Sequence, residues 1–252
     1  MMLITTEKLT KYFGGLGAVI DLDLSVKEEE IVGLLGPNGS GKTTAFNLLT
    51  GVHKPTGGKI YFNGRDITAH KPYDITVHGI GRTFQITKLF DRVSALQNVL
   101  TGMHCRTRNG VWRALIRDKK SRYEEEVSVH KSIELLELAG LAHAKDQIAE
   151  NLPSAEQRRL MIAIAMATDP KLLLLDEPTA GMNAEEIDQL INIIGKIRSR
   201  GIAVLLIEHN MRVAMSICER LVVLNYGKKI AEGLPQEIAN NEAVIEAYLG
   251  RK

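Results

Sequence analysis

At 252 residues the chain has room for one large α/β domain or a core with a subdomain, and 32 Lys and Arg stand against 30 Asp and Glu. That balance gives no support to a nucleic-acid partner. No apolar run approaches the ~18 residues of a membrane span, and Met1-Met2-Leu3-Ile4-Thr5-Thr6-Glu7 lacks the basic-then-apolar order of a signal peptide.

Residues 2–9 and 18–26 hold apolar residues in the short runs of strands. Between them, Lys11-Tyr12-Phe13-Gly14-Gly15 places an aromatic pair before a glycine turn. Such a ring offers a flat π-face to a nucleotide base; a plainly packed aromatic gives the same pattern.

Ile31-Val32-Gly33-Leu34-Leu35 reads as a buried strand and Thr43 to Thr50 as a helix. Gly36-Pro37-Asn38-Gly39-Ser40-Gly41-Lys42-Thr43-Thr44 joins them and fits the phosphate-binding pattern G-x-x-x-x-G-K-[ST]. Glycines let the backbone curl so that successive N–H groups point at phosphate oxygens. The following helix adds the positive end of its dipole. Lys42 is suited to neutralise β- and γ-phosphate charge, and the Thr43 hydroxyl to ligate Mg²⁺. A glycine-rich turn that merely precedes a helix is the alternative, and the flanking strand and helix argue against it. The chain is expected to bind a nucleoside triphosphate.

Lys54-Pro55-Thr56-Gly57-Gly58 is a turn, followed by a strand from Lys59 to Phe62 and an Asn63-Gly64 turn. This front section is expected to form an antiparallel sheet against the nucleotide core. Gly79-Ile80-Gly81-Arg82-Thr83-Phe84-Gln85 reads as a short strand ending on a glutamine. From there to about Ala167 the pattern is helical. Residues 113–126 are rich in charges of both signs and read as a solvated helix face. Val127, Ile133, Leu135, Leu136 and Leu138 supply an apolar stripe, and Gly140 ends the helix. The organisation expected is one domain: a helical subdomain over 86–168 inserted into a core formed by 1–85 and 169–252. The cysteines, Cys105 and Cys218, have no metal-type spacing and read as reduced, space-filling thiols of a cytosolic protein.

Lys171-Leu172-Leu173-Leu174-Leu175-Asp176-Glu177-Pro178 has the continuous apolar run of a buried parallel strand. Its two carboxylates stand at the C-terminal end, where α/β sheets hold ligands. Asp176 is suited to hold Mg²⁺, directly or through water, and Glu177 to accept a proton from, or polarise, the attacking water. Ile187, Leu190, Ile191, Ile194 and Ile197 mark one face of the next helix. A strand from Ile202 to Ile207 ends on Glu208-His209, another runs from Leu221 to Leu224 before a Tyr226-Gly227 turn, and a last helix carries Val244, Ile245, Tyr248 and Leu249. Gln85 and His209 each lie just past a strand, within reach of a γ-phosphate or the water. Taken singly, His209 reads as a surface or capping histidine; the ordered set carries the argument.

Phe13, Gly36 to Thr44, Gln85, Asp176-Glu177, Ala180-Gly181-Met182-Asn183 and His209 occur in the order of an ABC-transporter nucleotide-binding domain, which the whole chain resembles. Arg82-Thr83-Phe84-Gln85, Ile207-Glu208-His209, Asn225-Tyr226-Gly227-Lys228 and Ala247-Tyr248-Leu249-Gly250 look most like the ATPase subunits of branched-chain amino acid importers. The resemblance implies an α/β fold, a P-loop core of mostly parallel sheet with an antiparallel β subdomain and the inserted helical subdomain. It implies an ATPase that energises uptake of branched-chain amino acids or a related small polar solute, peripheral on the cytoplasmic face of the cell membrane. ATP and Mg²⁺ follow, with Phe13 on the adenine, Gln85 linking metal and water to the permease contact, and His209 at the γ-phosphate.

The implied partners are integral membrane permease subunits, a solute-binding protein indirectly, and no nucleic acid. The permease contact falls at Ile86 to Asn98, where Leu89 and Phe90 are either its apolar anchors or subdomain core. A second ATPase subunit, identical or not, sandwiches each ATP between one phosphate loop and the other subunit's Leu-Ser-Gly-Gly-Gln motif. The alternative function is a soluble ABC ATPase acting on nucleic acid or ribosomes, against which stand the single core and the near-neutral charge. Against a module that only holds ATP stand Glu177 and His209.

One motif departs from that family. Before Arg158-Arg159-Leu160 the chain reads Leu152-Pro153-Ser154-Ala155-Glu156-Gln157, so Pro153 replaces the serine and Ala155 the second glycine. Proline has neither N–H nor hydroxyl to offer a phosphate, and alanine adds a methyl group where backbone should approach closely. The trans-acting stretch Pro153, Ser154, Ala155 and Glu156 is therefore expected to form a weakened half-site. The alternative uses the capping-box pattern of Ser154 and Gln157, which starts the helix one residue late and puts the Ser154 hydroxyl in the missing serine's place.

Overall fold

The computed structural model describes residues 1–83, 89–103 and 119–249, the side chains of 119–122 excepted. Gln85, Cys105 and residues 113–118 of the charged run lie outside the described residues.

Apolar strands read as unbroken runs when both of their faces are covered. β1 (Met2–Phe13), β2 (Leu16–Leu22) and β3 (Ser25–Lys27) precede the first such strand, β4 (Ile31–Leu35). β5 (Gly57–Phe62), β6 (Arg65–Asp66) and β7 (Ile80–Arg82) follow, then β8 (Leu172–Asp176), β9 (Ala203–Ile207), β10 (Arg220–Asn225) and β11 (Lys228–Gly233). β4, β8 and β9 are buried at every residue. With β7 and β10 they make a parallel sheet finished at one edge by antiparallel β11, in the order β11-β10-β4-β9-β8-β7.

The period of two along these strands divides their side chains between two cores. Ile31, Leu35, Leu173, Leu175, Val204 and Leu206 share one core with Leu136, Leu160 and Ile194. Val32, Leu34, Leu172, Leu174, Ala203 and Leu205 share the other with Leu9, Val19, Phe46 and Phe62. The second core lies beneath an antiparallel sheet in which β1 pairs with β2, β3 and β5, and β5 with β6.

The front strands differ from the sequence reading in their ends. β1 continues through Phe13, so Lys11-Tyr12-Phe13 belongs to a strand, and the expected 18–26 strand is divided at Asp23-Leu24. The cause is local twist. Lys8 and Asp21 take left-handed φ of 45° and 47°, and the β1–β2 register shifts after Leu9. Leu24 re-enters the sheet by donating its N–H to Thr6 Oγ1.

Between β7 and β8 the helices Ala95–Met103, Lys119–Leu138 and Ser154–Ala167 pack in the first core. Gly140, at φ +69°, ends the long helix, and Leu141 N–H caps back onto the Leu136 carbonyl. The buried face of that helix holds Ser132, Leu135, Leu136 and Leu138, whereas Val127 stays exposed. The helix Ala184–Arg198 starts on a capping box between Asn183 and Glu186, and it buries Ile193 beside Leu190, Ile194 and Ile197 where Ile191 was expected. Short helices at Pro72–His78, Met211–Ile217 and Pro235–Ala239 had no periodic signal, having two turns or fewer. Among the described residues no helix is long and apolar enough to cross a membrane.

Candidate functional site

β4 ends inside the parallel sheet, and the chain turns there into the helix Lys42–Leu49. Gly36 makes the turn at φ +145°, and a Cβ on it would stand 2.2 Å from the Leu224 carbonyl oxygen of the neighbouring strand. Only glycine fits. The Tyr226-Gly227 turn props the loop from the side: Gly227 N–H donates to Ser40 O at 3.0 Å. Lys42 folds back under the loop, its Nζ donating to the carbonyls of Gly36 at 2.7 Å and Pro37 at 2.9 Å. Burial lowers its proton affinity, and the charges of Glu177 and Asp176 act the other way. Ser40 Oγ is buried without a hydrogen-bond partner. A fixed buried cation beneath a turn of backbone N–H groups is an anion site.

The two carboxylates reach this loop because β8 lies beside β9, with Asp176 opposite Ile207. Glu177 N–H is bonded to the Ile207 carbonyl at 3.0 Å, and Glu177 takes a left-handed φ of 50°. A non-glycine residue in that region is strained and is held there by its surroundings. The side chain meets His209, with Nε2 and Oε1 at 2.5 Å. Glu208 turns inward instead, accepting Thr179 N–H at 3.1 Å and the Thr179 hydroxyl at 2.8 Å, and burial pushes its carboxyl above the usual range. Asp176 accepts from Arg82 Nη2 at 3.0 Å through Oδ2, while its Oδ1 is buried without a partner. Burial raises the Asp176 carboxyl against the pull of Arg82.

A cleft of about 1040 Å³ brings together Phe13, Asn38, Gly39, Ser40, Gly41, Lys42, Thr43, Thr44, Glu177 and His209. Gly36 and Asp176 do not line it. Leu16, Ala18 and Tyr226 also line it, and the sequence reading missed them; the only sign of Tyr226 was its place beside a turn glycine. Phe13 is 44% exposed, edge-on to His53 at 5.4 Å and beneath Lys11 Nζ at 5.1 Å. Its ring is therefore at the cleft and not in the core. Tyr248, expected on an apolar helix face, accepts the Gly36 N–H on its hydroxyl at 2.9 Å, and of that face only Val244 is buried.

The stretch Pro153 to Glu156 lies outside this cleft, at the start of the helix Ser154–Ala167. Pro153, at φ −54°, occupies the N-cap position and no side chain caps the helix, which corrects the capping-box reading of Ser154 and Gln157. Pro153 is extended at ψ 149°, outside the helical region, so the helix starts after it and Ser154 lies inside the first turn. Gln157 instead donates to the Leu152 carbonyl at 3.0 Å. Ala155 is buried, and Glu156 faces His143 at 3.3 Å and Arg159 at 3.5 Å. Leu89 packs against the core while Phe90 stays 60% exposed.

The donors present fit Mg²⁺. The hydroxyl of Thr43 and the partnerless Asp176 Oδ1 are hard oxygens, and a buried acceptor left unpaired calls for a ligand. Among the described residues no group of three or more His, Cys, Asp or Glu could hold a metal unaided.

Residues 19–180 match the family model described as ABC transporter, and residues 228–252 match one described as branched-chain amino acid ATP-binding cassette transporter. The chain is 41% identical, over 98% of its length and 98% of the relative's, to the high-affinity branched-chain amino acid transport ATP-binding protein LivG of Salmonella typhimurium. The crystal structure of the ADP conformation of MJ1267, an ATP-binding cassette of an ABC transporter, superposes with a TM-score of 0.87 at 32% identity, covering 100% of both chains. A dimeric post-hydrolysis state of the cassette MJ0796 bound to ADP and Pi superposes with a TM-score of 0.78 at 26% identity, covering 92% of this chain and 99% of that one.

Proposed function

Because the chain belongs to the ABC transporter family, we propose that it is the ATP-hydrolysing subunit of a membrane importer of branched-chain amino acids, acting from the cytoplasmic face. The observation that carries this reading is the meeting of the phosphate loop with Glu177 and His209 in one cleft. The match of residues 228–252 to the branched-chain model and the similarity to LivG support the cargo. Permease subunits and a second ATPase subunit are its partners, a solute-binding protein acts through the permease, and nucleic acid has no part.

In this reading the loop N–H groups from Asn38 to Thr44 receive the phosphates and Lys42 neutralises them. Phe13 stacks on adenine. Thr43 and Asp176 hold Mg²⁺, joined by Gln85; when bound, the metal supplies positive charge at the phosphate oxygens. Glu177 takes the proton of the attacking water. It does so after releasing His209, whose ring then turns to the γ-phosphate. Pro153 to Glu156 face the nucleotide of the other subunit, and residues 86–168 form the helical unit that carries them. Within that unit Phe90, exposed beside the packed Leu89, is the permease anchor.

Reconstitution with the co-purifying permease and solute-binding protein in proteoliposomes tests this function. The expected result is ATP-dependent uptake of leucine, isoleucine or valine, with hydrolysis stimulated by the loaded binding protein. Stimulation by RNA or ribosomes in the absence of any permease would overturn it.

A further inference from the structure

Arg82 has no role in the sequence motifs, yet its guanidinium donates to three side chains beside the site. It closes β7, the strand beside β8, and its side chain is 7% exposed against 1% for Asp176. One arm of the guanidinium, Nη2, donates to Asp176 Oδ2 at 3.0 Å. The other, Nη1, donates to Asn47 Oδ1 at 2.7 Å and Thr50 Oγ1 at 3.1 Å, at the end of the phosphate-loop helix. The Phe46 ring lies 5.6 Å from the guanidinium carbon. Thr83, the next residue, accepts the Asp176 N–H on its hydroxyl at 3.3 Å. Asp176 is thus gripped at its backbone and at one carboxylate oxygen, while Oδ1 alone has no partner.

We propose that Arg82 is a positioning residue for the metal: it fixes Asp176 Oδ2 so that Oδ1 is presented to the cation. This rests on the reading of Asp176 as a Mg²⁺ ligand. A planar fork held at both arms fixes the carboxylate's rotation as well as its charge, which a lysine's single ammonium cannot do. Neutralisation alone would not require the second arm to be tied to the phosphate-loop helix. That tie sets the distance between Asp176 and Thr43, two of the residues proposed to hold the metal. Outer partners of metal-ligating carboxylates are typically worth about 10- to 100-fold in metal affinity.

The test uses the full chain and reads binding, not turnover. A fluorescent ATP analogue is titrated in EDTA, and then at fixed analogue against Mg²⁺, for the parent, Arg82→Met, Arg82→Lys and Asp176→Asn, with melting temperatures recorded. In EDTA all four proteins are expected to bind alike. The Mg²⁺ midpoint is expected to rise about 10-fold in Arg82→Met and less in Arg82→Lys, which retains charge but not the fork. Should Arg82→Met fail to fold, Arg82→Lys and Asn47→Ala report the same midpoint, the latter by loosening the second arm while leaving the ion pair. Midpoints equal to the parent's in the Arg82 and Asn47 variants, with Asp176→Asn shifted, would overturn the role of Arg82 alone. An unshifted Asp176→Asn would remove the metal reading of Asp176, and this inference with it.

Discussion

His209 Nε2 and Glu177 Oε1 are bonded to each other at 2.5 Å across the ends of two adjacent parallel strands. Glu177 is thus held by its strained backbone and by its side chain, and one of its oxygens is engaged. In its proposed role as base, Glu177 would have to leave the histidine to meet a water. Glu177→Gln keeps the shape and removes the base. It is expected to bind ATP with unchanged affinity and to hydrolyse it roughly 10²–10⁴-fold more slowly. Single-turnover hydrolysis alongside a nucleotide titration checks both halves, and parental hydrolysis by Glu177→Gln would refute the assignment.

Phe13 lines the cleft and is 44% exposed, with His53 in a T-shaped contact and Lys11 Nζ over its ring, so part of the ring surface is open to a base. Stacking on an aromatic is worth roughly 1–3 kcal/mol. Phe13→Ala is expected to weaken ATP and ADP equally by about tenfold at the lower part of that range, with Phe13→Trp restoring affinity. Inorganic triphosphate, which has no base, should bind both variants as it binds the parent. Calorimetric titrations with the three ligands decide it.

Leu89 and Phe90 are adjacent, but only one of them is packed. Asn98, itself buried, shapes the turn between them and the next helix: it accepts Phe90 N–H at 2.9 Å and donates to Phe90 O at 3.1 Å. Leu89→Ala should cost roughly 2 kcal/mol of stability. Phe90→Ala should leave the melting temperature and ATP affinity unchanged and abolish stimulation by the permease. A permease that stimulates Phe90→Ala as well as the parent would place the contact elsewhere.

The parallel core was legible because Leu172 to Leu175 and Ile31 to Leu35 are covered on both faces and so carry no alternation to misread. The phosphate loop was legible for a different reason: its glycines answer to local backbone geometry, which spacing records. Arg82 and Tyr248 were not legible as site neighbours. Asp176 is 94 positions from Arg82, and Gly36 is 212 from Tyr248. Their pairing depends on strand order, which no local pattern carries. The capping-box alternative at Ser154 and Gln157 failed because the helix begins with Pro153 at its N-cap, so Ser154 already lies inside the first turn.

Cys218 is buried, with its Sγ in the space a Gly33 Cβ would need, 2.9 Å away. Burial, with smaller help from Glu208 and Glu219, pushes its thiol up to about 12. An unfolded cysteine titrates near ~8.5, so the folded chain keeps this proton to higher pH. The stability due to that difference is whole below pH ~8.5 and is lost as pH rises toward 12. In a Cys105→Ser background, Cys218 should resist thiol reagents at pH 8 until urea unfolds the chain. The fall in stability between pH 8 and pH 10 should be smaller in Cys218→Ala. Rapid labelling of the folded protein would contradict this.

The altered stretch at Pro153 to Glu156 acts, on the proposed reading, on the nucleotide of the other subunit, so its defect should spare the site built on this chain's Lys42, Glu177 and His209. In a homodimer both sites inherit it and hydrolysis should be slow. With a partner carrying an intact motif, one site should be competent and the other weak. Restoring Pro153→Ser supplies a hydroxyl at the helix N-cap, and Ala155→Gly removes a methyl that is now buried at 5% exposure. The stability effects oppose each other: a serine cap adds about 1 kcal/mol and a first-turn glycine costs up to about as much. A rate change would therefore not arise from folding. One oxyanion-type donor is worth ~3 kcal/mol in a transition state, so the homodimer's rate should rise about 10²-fold. ATPase rate measured against protein concentration, before and after the double change, separates tighter dimerisation from faster chemistry. An unchanged rate at saturating dimer would mean that Ser154, exposed in the first turn, already serves the partner's phosphate and the half-site is not weakened.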